Sequence, residues 1–86
     1  MRSRFYLRLP VEDRPGVLAD VAHILARHQI SISSVIQHEP IDEAATTVPL
    51  IIMTHHGPTG VFQQAVAEIQ RLPAVLAPSV YYSVAD

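Results

Sequence analysis

Residues 5–11, FYLRLPV, alternate between apolar and polar positions: Phe5, Leu7, Leu9 and Val11 fall on one side, Tyr6 and Arg8 on the other. That period of two predicts a strand with one covered face. Pro10 has no N–H to give a ladder, so the strand is expected to end there or to sit beside a break. From Pro15 to His28 the period lengthens. Val17, Leu18, Val21, Ile24 and Leu25 share one helical face, opposite Asp20, His23 and Arg27, which predicts an amphipathic helix with basic residues near the end its dipole favours.

ISISSVIQ, from 30 to 37, is β-branched and free of turn residues, and predicts a second strand from Ile30 to His38. An acidic connection, EPIDEAAT, leads to a third strand over Thr47–Thr54, in which Pro49 marks the first residues or a bulge. The turn cluster HHGPTG offers Thr59 as N-cap of a second helix. There Phe62, Ala65, Val66, Ile69 and Leu72 recur on one face and Pro73 ends the run. SVYYSV supplies the last strand, with Val80, Tyr82 and Val84 on a common face.

The order β-α-β-β-α-β, with right-handed crossovers, predicts an α+β ferredoxin-like sandwich: a four-stranded antiparallel sheet with both helices on one face. The first and third strands become central, the second and fourth edges. Ser31, Ser33, Val35 and Gln37 are expected on the second strand's outer face, an edge without lysine or proline to discourage pairing with a second copy.

Composition sharpens this picture. A lone domain of 86 residues buries only about 60–65% of the surface its unfolded chain exposes. With 49% hydrophobic and 16% charged residues, the chain has little charge to cover a monomer, which favours an oligomer or a module of a larger protein. No cysteine is present, which closes disulfide and thiolate chemistry and fits a cytoplasmic setting. No stretch approaches the length of a membrane span, and the first residues lack the apolar core of a signal peptide. All six basic residues are arginines, and Arg2, Arg4, Arg8 and Arg14 crowd the start, but a net charge of −2 and no stripe of stacking aromatics argue against a nucleic-acid platform.

The candidate chemistry sits in VEDRPGVLAD, residues 11–20. Arg14, preceding a proline, is held extended, Pro15 is placed to open the helix, and the amides of Gly16 and Val17 are left without intrahelical acceptors. That turn can receive a carboxylate, with Asp13 beside it as an ammonium acceptor, the pair of functions a zwitterionic amino acid requires. The competing reading is that Asp13 caps the turn by accepting from the Gly16 amide. His55 and His56 are adjacent and have no carboxylate at helical spacing, so they predict a surface turn and no metal site. His23 and His28 are expected in solvent, and His38 points away from Gln37 on a regular strand.

The stretch FYLRLPVEDRPGVLADVAHILARHQISISSVIQHE resembles the start of an ACT domain, and the later PLIIMTHH, EIQRLPAV and short last strand extend the resemblance over nearly the whole chain. It is similar to the ACT domain at the C-terminus of the bacterial homoserine dehydrogenase family. The resemblance implies that Asp13, Arg14, Gly16, Val17 and Leu18 form one wall of an amino-acid site. It also implies that Gln37 is a polar strand position used for threonine recognition, completed across a dimer formed through the second strand. An amide on an edge strand can equally face water. Asp13 and Ser31 stand where serine-responsive members place asparagine, which departs from that pattern. The resemblance further implies a partner catalytic domain, outside this chain, that uses NAD(P) to interconvert homoserine and aspartate semialdehyde. The chain itself has no G-x-G-x-x-G, nucleophile elbow or zinc motif, so no cofactor, metal or catalytic residue is expected in it. Two alternatives remain: a stand-alone ACT protein or dimerisation module without a threonine site, and a small ferredoxin-like enzyme.

Overall fold

In the computed structural model, which describes residues 2–37, 47–76 and 78–84, the first alternating run forms β1, Arg2–Glu12. The amphipathic stretch forms α1, Val17–Arg27; β2 is Ile32–Gln37, β3 Thr47–Thr54, β4 Gly57–Pro58, α2 Thr59–Ile69 and β5 Val80–Val84. β1 pairs antiparallel with β3 and with β5, and β2 pairs antiparallel with β3. The two-residue β4 pairs with Ser3 and Arg2 and brings the sheet to five strands. This is the ferredoxin-like arrangement expected, with β1 and β3 central. The acidic connection and His38 lie outside the described residues.

One face of the sheet is covered. Leu7, Leu9 and Val11 on β1 and Val48, Leu50 and Ile52 on β3 are buried against Val17, Val21, Ile24 and Leu25 of α1 and Phe62, Ala65, Val66 and Ile69 of α2. At one end of this core Phe5 and Phe62 stack with ring centroids 4.1 Å apart, and Tyr81 meets both rings edge-on. Such pairing adds about 0.5–1.5 kcal/mol to the burial itself.

Two prolines sit inside the central strands without breaking them, contrary to the expectation that β1 ends at Pro10 or sits beside a break there. Pro10 and Pro49 face each other in register, and the Pro10 carbonyl accepts from Leu76 N–H at 3.0 Å, on the side away from β3. Their pair is therefore a non-hydrogen-bonded pair of the antiparallel ladder, and neither ring removes a β1–β3 bond. The Pro49 nitrogen instead faces β2, where the last described pair is Gln37 opposite Leu50.

The second strand departs from simple alternation. Ile32 pairs with Thr54 but Ser34 pairs with Met53, so Ser33 is an extra residue in a bulge, its hydroxyl donating to the Met53 carbonyl at 3.2 Å. A bulge reverses the phase of the residues beyond it. Ser31, Ser33, Val35 and Gln37 therefore do not share one outer face: Val35 and Gln37 lie on the helix side, opposite Ile52 and Leu50, while Ser34 and Ile36 lie on the uncovered side.

The helix ends also differ from expectation. α1 begins at Val17 because Gly16, at φ 91°, takes the left-handed conformation and leaves Pro15 in the preceding turn. α1 closes through Gln29 at φ 58°, with Ile30 N–H donating to the Leu25 carbonyl at 3.0 Å. For α2 the N-cap is Pro58, not Thr59; Thr59 is the first helical residue and its hydroxyl oxygen is buried without a partner among the described residues. α2 stops at Ile69, and Leu72 packs on the core from the turn beyond. Glu68, on α2, accepts from Arg27, and His28 Nε2 lies 3.0 Å from its other oxygen, so His28 is not simply solvated. These bonds, Arg27's first and His28's second, hold the Glu68 carboxyl below the usual carboxylate range.

Candidate functional site

The turn at the head of α1 is mounted on a fixed strand end. Glu12 N–H donates to the Ala74 carbonyl at 2.8 Å, and Val11 bridges to Val75. The chain then leaves the sheet through Asp13, Arg14, Pro15 and Gly16, all exposed, and enters α1 at buried Val17 and half-buried Leu18. Val17 and Leu18 therefore anchor the turn in the core while its backbone stays open.

Conformation explains the glycine at position 16. A left-handed φ costs a non-glycine residue about 1–2 kcal/mol, whereas nothing lies within 4 Å of where a Cβ would stand. Its carbonyl accepts from Asp20 N–H at 3.0 Å, the first bond of the helix. The amides of Val17, Leu18 and Ala19 precede that bond and have no acceptor within the helix, so the donors at this end lie one to two residues later than the sequence suggests.

Asp13 does not cap α1: the helix has no side-chain cap bond, and among the described residues the Asp13 side chain has no hydrogen-bond partner. Its neighbour Arg14 turns back along the strand, Nε donating to Glu12 Oε2 at 2.7 Å in an exposed pair worth at most about 1 kcal/mol. That pair neutralises Glu12 and Arg14 mutually and leaves Asp13 as the uncompensated charge of the exposed turn that leads into the first-turn amides of α1. An exposed carboxylate next to unsatisfied N–H groups can take an ammonium and a carboxylate side by side.

Gln37 lies at the same end of the sheet but apart. It pairs with Leu50, which pairs with Leu9, three residues short of Glu12. Two strand spacings and three residues of rise separate the Gln37 backbone from that of Glu12 by about 14 Å. The fold thus gathers Asp13, Arg14, Gly16, Val17 and Leu18 in one turn, with the Gln37 backbone two strands away. The bridging role of Ala74 and Val75 beneath the turn has no signal in the sequence, since it depends on a loop more than sixty residues downstream. Among the described residues no group of His, Cys, Asp or Glu is placed to hold a metal ion, and no helix is long and apolar enough to cross a membrane.

Against known proteins, residues 5–74 match the ACT domain family. The homoserine dehydrogenase of Methylobacillus glycogenes is 47% identical over 73 residues, 85% of this chain and 18% of that protein. The crystal structure of a homoserine dehydrogenase from Thiobacillus denitrificans superposes with a TM-score of 0.87 at 36% identity, over 100% of this chain and 18% of that one. The ACT domain from the GTP pyrophosphokinase of Chlorobium tepidum shares the fold, with a TM-score of 0.72 at 10% identity over 95% of this chain and 100% of its own. The chain thus spans under a fifth of the length of the homoserine dehydrogenases it matches.

Proposed function

Because the chain belongs to the ACT domain family, we propose that it is the amino-acid-sensing regulatory module of a homoserine dehydrogenase, with L-threonine as its ligand. The observation that carries this reading is Asp13, exposed and unpartnered among the described residues, beside the open first-turn amides of α1. The amides take the ligand's carboxylate, Asp13 its ammonium, and Gly16 leaves the approach unobstructed. The likeness to homoserine dehydrogenases over nearly the whole chain supports the choice of parent enzyme.

The separation of Gln37 from the turn bears on assembly. With its backbone about 14 Å from that of Glu12, Gln37 does not belong to the turn itself; it meets a ligand held at Asp13 from a second copy, placed by pairing of the exposed β2 edges. Gln37 then reads the threonine hydroxyl through its amide. Regulation results if the ligand binds one arrangement of the paired modules more tightly than another, because equal affinity shifts nothing. The chemistry, an NAD(P)-dependent interconversion of homoserine and aspartate semialdehyde, belongs to residues outside this chain.

The test is homoserine oxidation by the native full-length polypeptide with threonine titrated in. Threonine is expected to inhibit, and Asp13→Asn to relieve the inhibition without changing the uninhibited rate. A native protein that oxidises no homoserine would remove the parent-enzyme reading; one that oxidises homoserine indifferently to threonine would leave only a dimerisation module.

A further inference from the structure

The face of the sheet turned away from the helices is uncovered and mixed in character. Tyr6, Arg8 and Pro10 of β1 are in register with Met53, Ile51 and Pro49 of β3, and Tyr6 and Arg8 with Tyr82 and Val80 of β5. Ile36 of β2 completes the row beside Ile51. Val80, Tyr82 and Ile36 are 56%, 54% and 47% exposed, large apolar residues that the core leaves out. At one end of this face a hollow of about 370 Å³ is lined by Pro10, Thr47, Pro49, Pro78 and Val80, with Arg8 on its wall. Arg8 has no ion-pair or hydrogen-bond partner among the described residues.

We propose that this face docks against an apolar, carboxylate-bearing surface of another domain in the same polypeptide, an apolar side chain entering the proline-lined hollow and a carboxylate pairing with Arg8. This rests on the reading that the module is part of a longer enzyme. Three observations select that occupant. The charge is one-sided: Arg2, Arg4 and Arg8 alternate with the covered residues of β1 and so fall on this face, and Glu12, the one carboxylate of β1 there, is taken by Arg14. A second copy would set arginine against arginine, whereas an acidic surface is complementary. The area is small. The four strands, of 11, 8, 6 and 5 residues and about 4.8 Å apart, give a flat footprint of roughly 490 Å², below the about 800 Å² per partner of a stable free complex. A patch of that size holds when a covalent tether supplies a millimolar effective concentration. The aromatic geometry is a poor platform for single-stranded RNA: Tyr6 and Tyr82 stack on each other at 4.9 Å and 7°, which takes one face of each ring and leaves no two separate rings on which successive bases could stack.

Hydroxyl-radical footprinting of the native full-length polypeptide tests this, with exposed His23 on α1 as internal reference. Tyr82 is expected to be labelled several-fold less than its open position on this module demands, at all dilutions from micromolar to nanomolar. Arg8→Glu should raise Tyr82 labelling several-fold with His23 unchanged, and Arg8→Gln, with circular dichroism to verify folding, should raise it by less. Full labelling of Tyr82 in the wild-type protein overturns the proposal, as does protection indifferent to Arg8→Glu. Protection that is lost on dilution assigns the face to a second copy, and protection that appears only on adding single-stranded RNA assigns it to nucleic acid; either result also overturns it. Homoserine oxidation measured on the same preparation reports separately on the parent-enzyme reading, so the failure of one is distinguishable from the failure of the other.

Discussion

Replacing Thr54 by valine removes one hydrogen-bond acceptor and almost no volume. Thr54 is fully buried at the end of β3, and its hydroxyl oxygen accepts from Phe5 N–H at 3.1 Å, where the regular β1–β3 register ends at Tyr6 opposite Met53. In Thr54→Val the Phe5 amide stays buried among Phe62, Tyr81 and the sheet with no acceptor, at a cost of about 1–3 kcal/mol. The added methyl returns up to about 0.8 kcal/mol. With the methyl returned in full, the net loss is about 0.2–2.2 kcal/mol, or a fall in melting temperature of roughly 1–18 °C for a domain of this size. Urea unfolding at fixed protein concentration should show a lower midpoint with an unchanged slope. The Phe5 amide should also lose hydrogen-exchange protection beyond that global change. A Thr54→Val midpoint at or above wild type would refute the reasoning, because it would mean the buried amide is satisfied without the hydroxyl.

The helix ends and the helix pair give further expected outcomes. Gln29→Gly relieves a left-handed residue at the end of α1 and should stabilise the chain by about 0.5–1 kcal/mol, read from thermal melts. Gly16→Ala should cost about 1–2 kcal/mol from backbone strain alone, since its Cβ meets nothing; a steeper loss would point to crowding instead. Glu68 has a lowered pKa, so its contribution is present above the ordinary carboxylate range and lost as pH falls through its folded value. Glu68→Gln should therefore flatten the acid limb of the stability curve, measured as urea midpoint against pH, and an unaltered limb would deny the ion pair that role.

The strands with one covered face were legible because burial and alternation are the same fact: β1's buried residues and the whole of β3, Thr47–Thr54, stand where the pattern places them. The bulge at Ser33 was not. ISISSV alternates whether or not a residue is skipped, and only the partner strand fixes which residue is extra. The start of α1 shifted because Gly16 can adopt a left-handed turn that a proline-first helix does not need, a competition local propensity does not decide. At the site, the contiguous residues Asp13 to Leu18 were readable as one turn. That Asp13 is free of the cap, and that Gln37 lies two strands away, depend on topology and register. The hollow on the uncovered face draws Pro10, Pro49 and Pro78 from three distant places, and each alone signals only a strand break or a loop.

The central claim is that Asp13 and the open amides of α1 hold an amino acid. Titration calorimetry of L-threonine into the wild-type protein and Asp13→Asn tests it most directly, because the substitution removes a charge from a side chain with no structural partner among the described residues. The account predicts saturable binding by the wild type and a loss of about 1–3 kcal/mol in the variant, roughly 5–150-fold in affinity, with melting temperature unchanged. No heat of binding at millimolar threonine, or equal affinity in the two proteins, would contradict it.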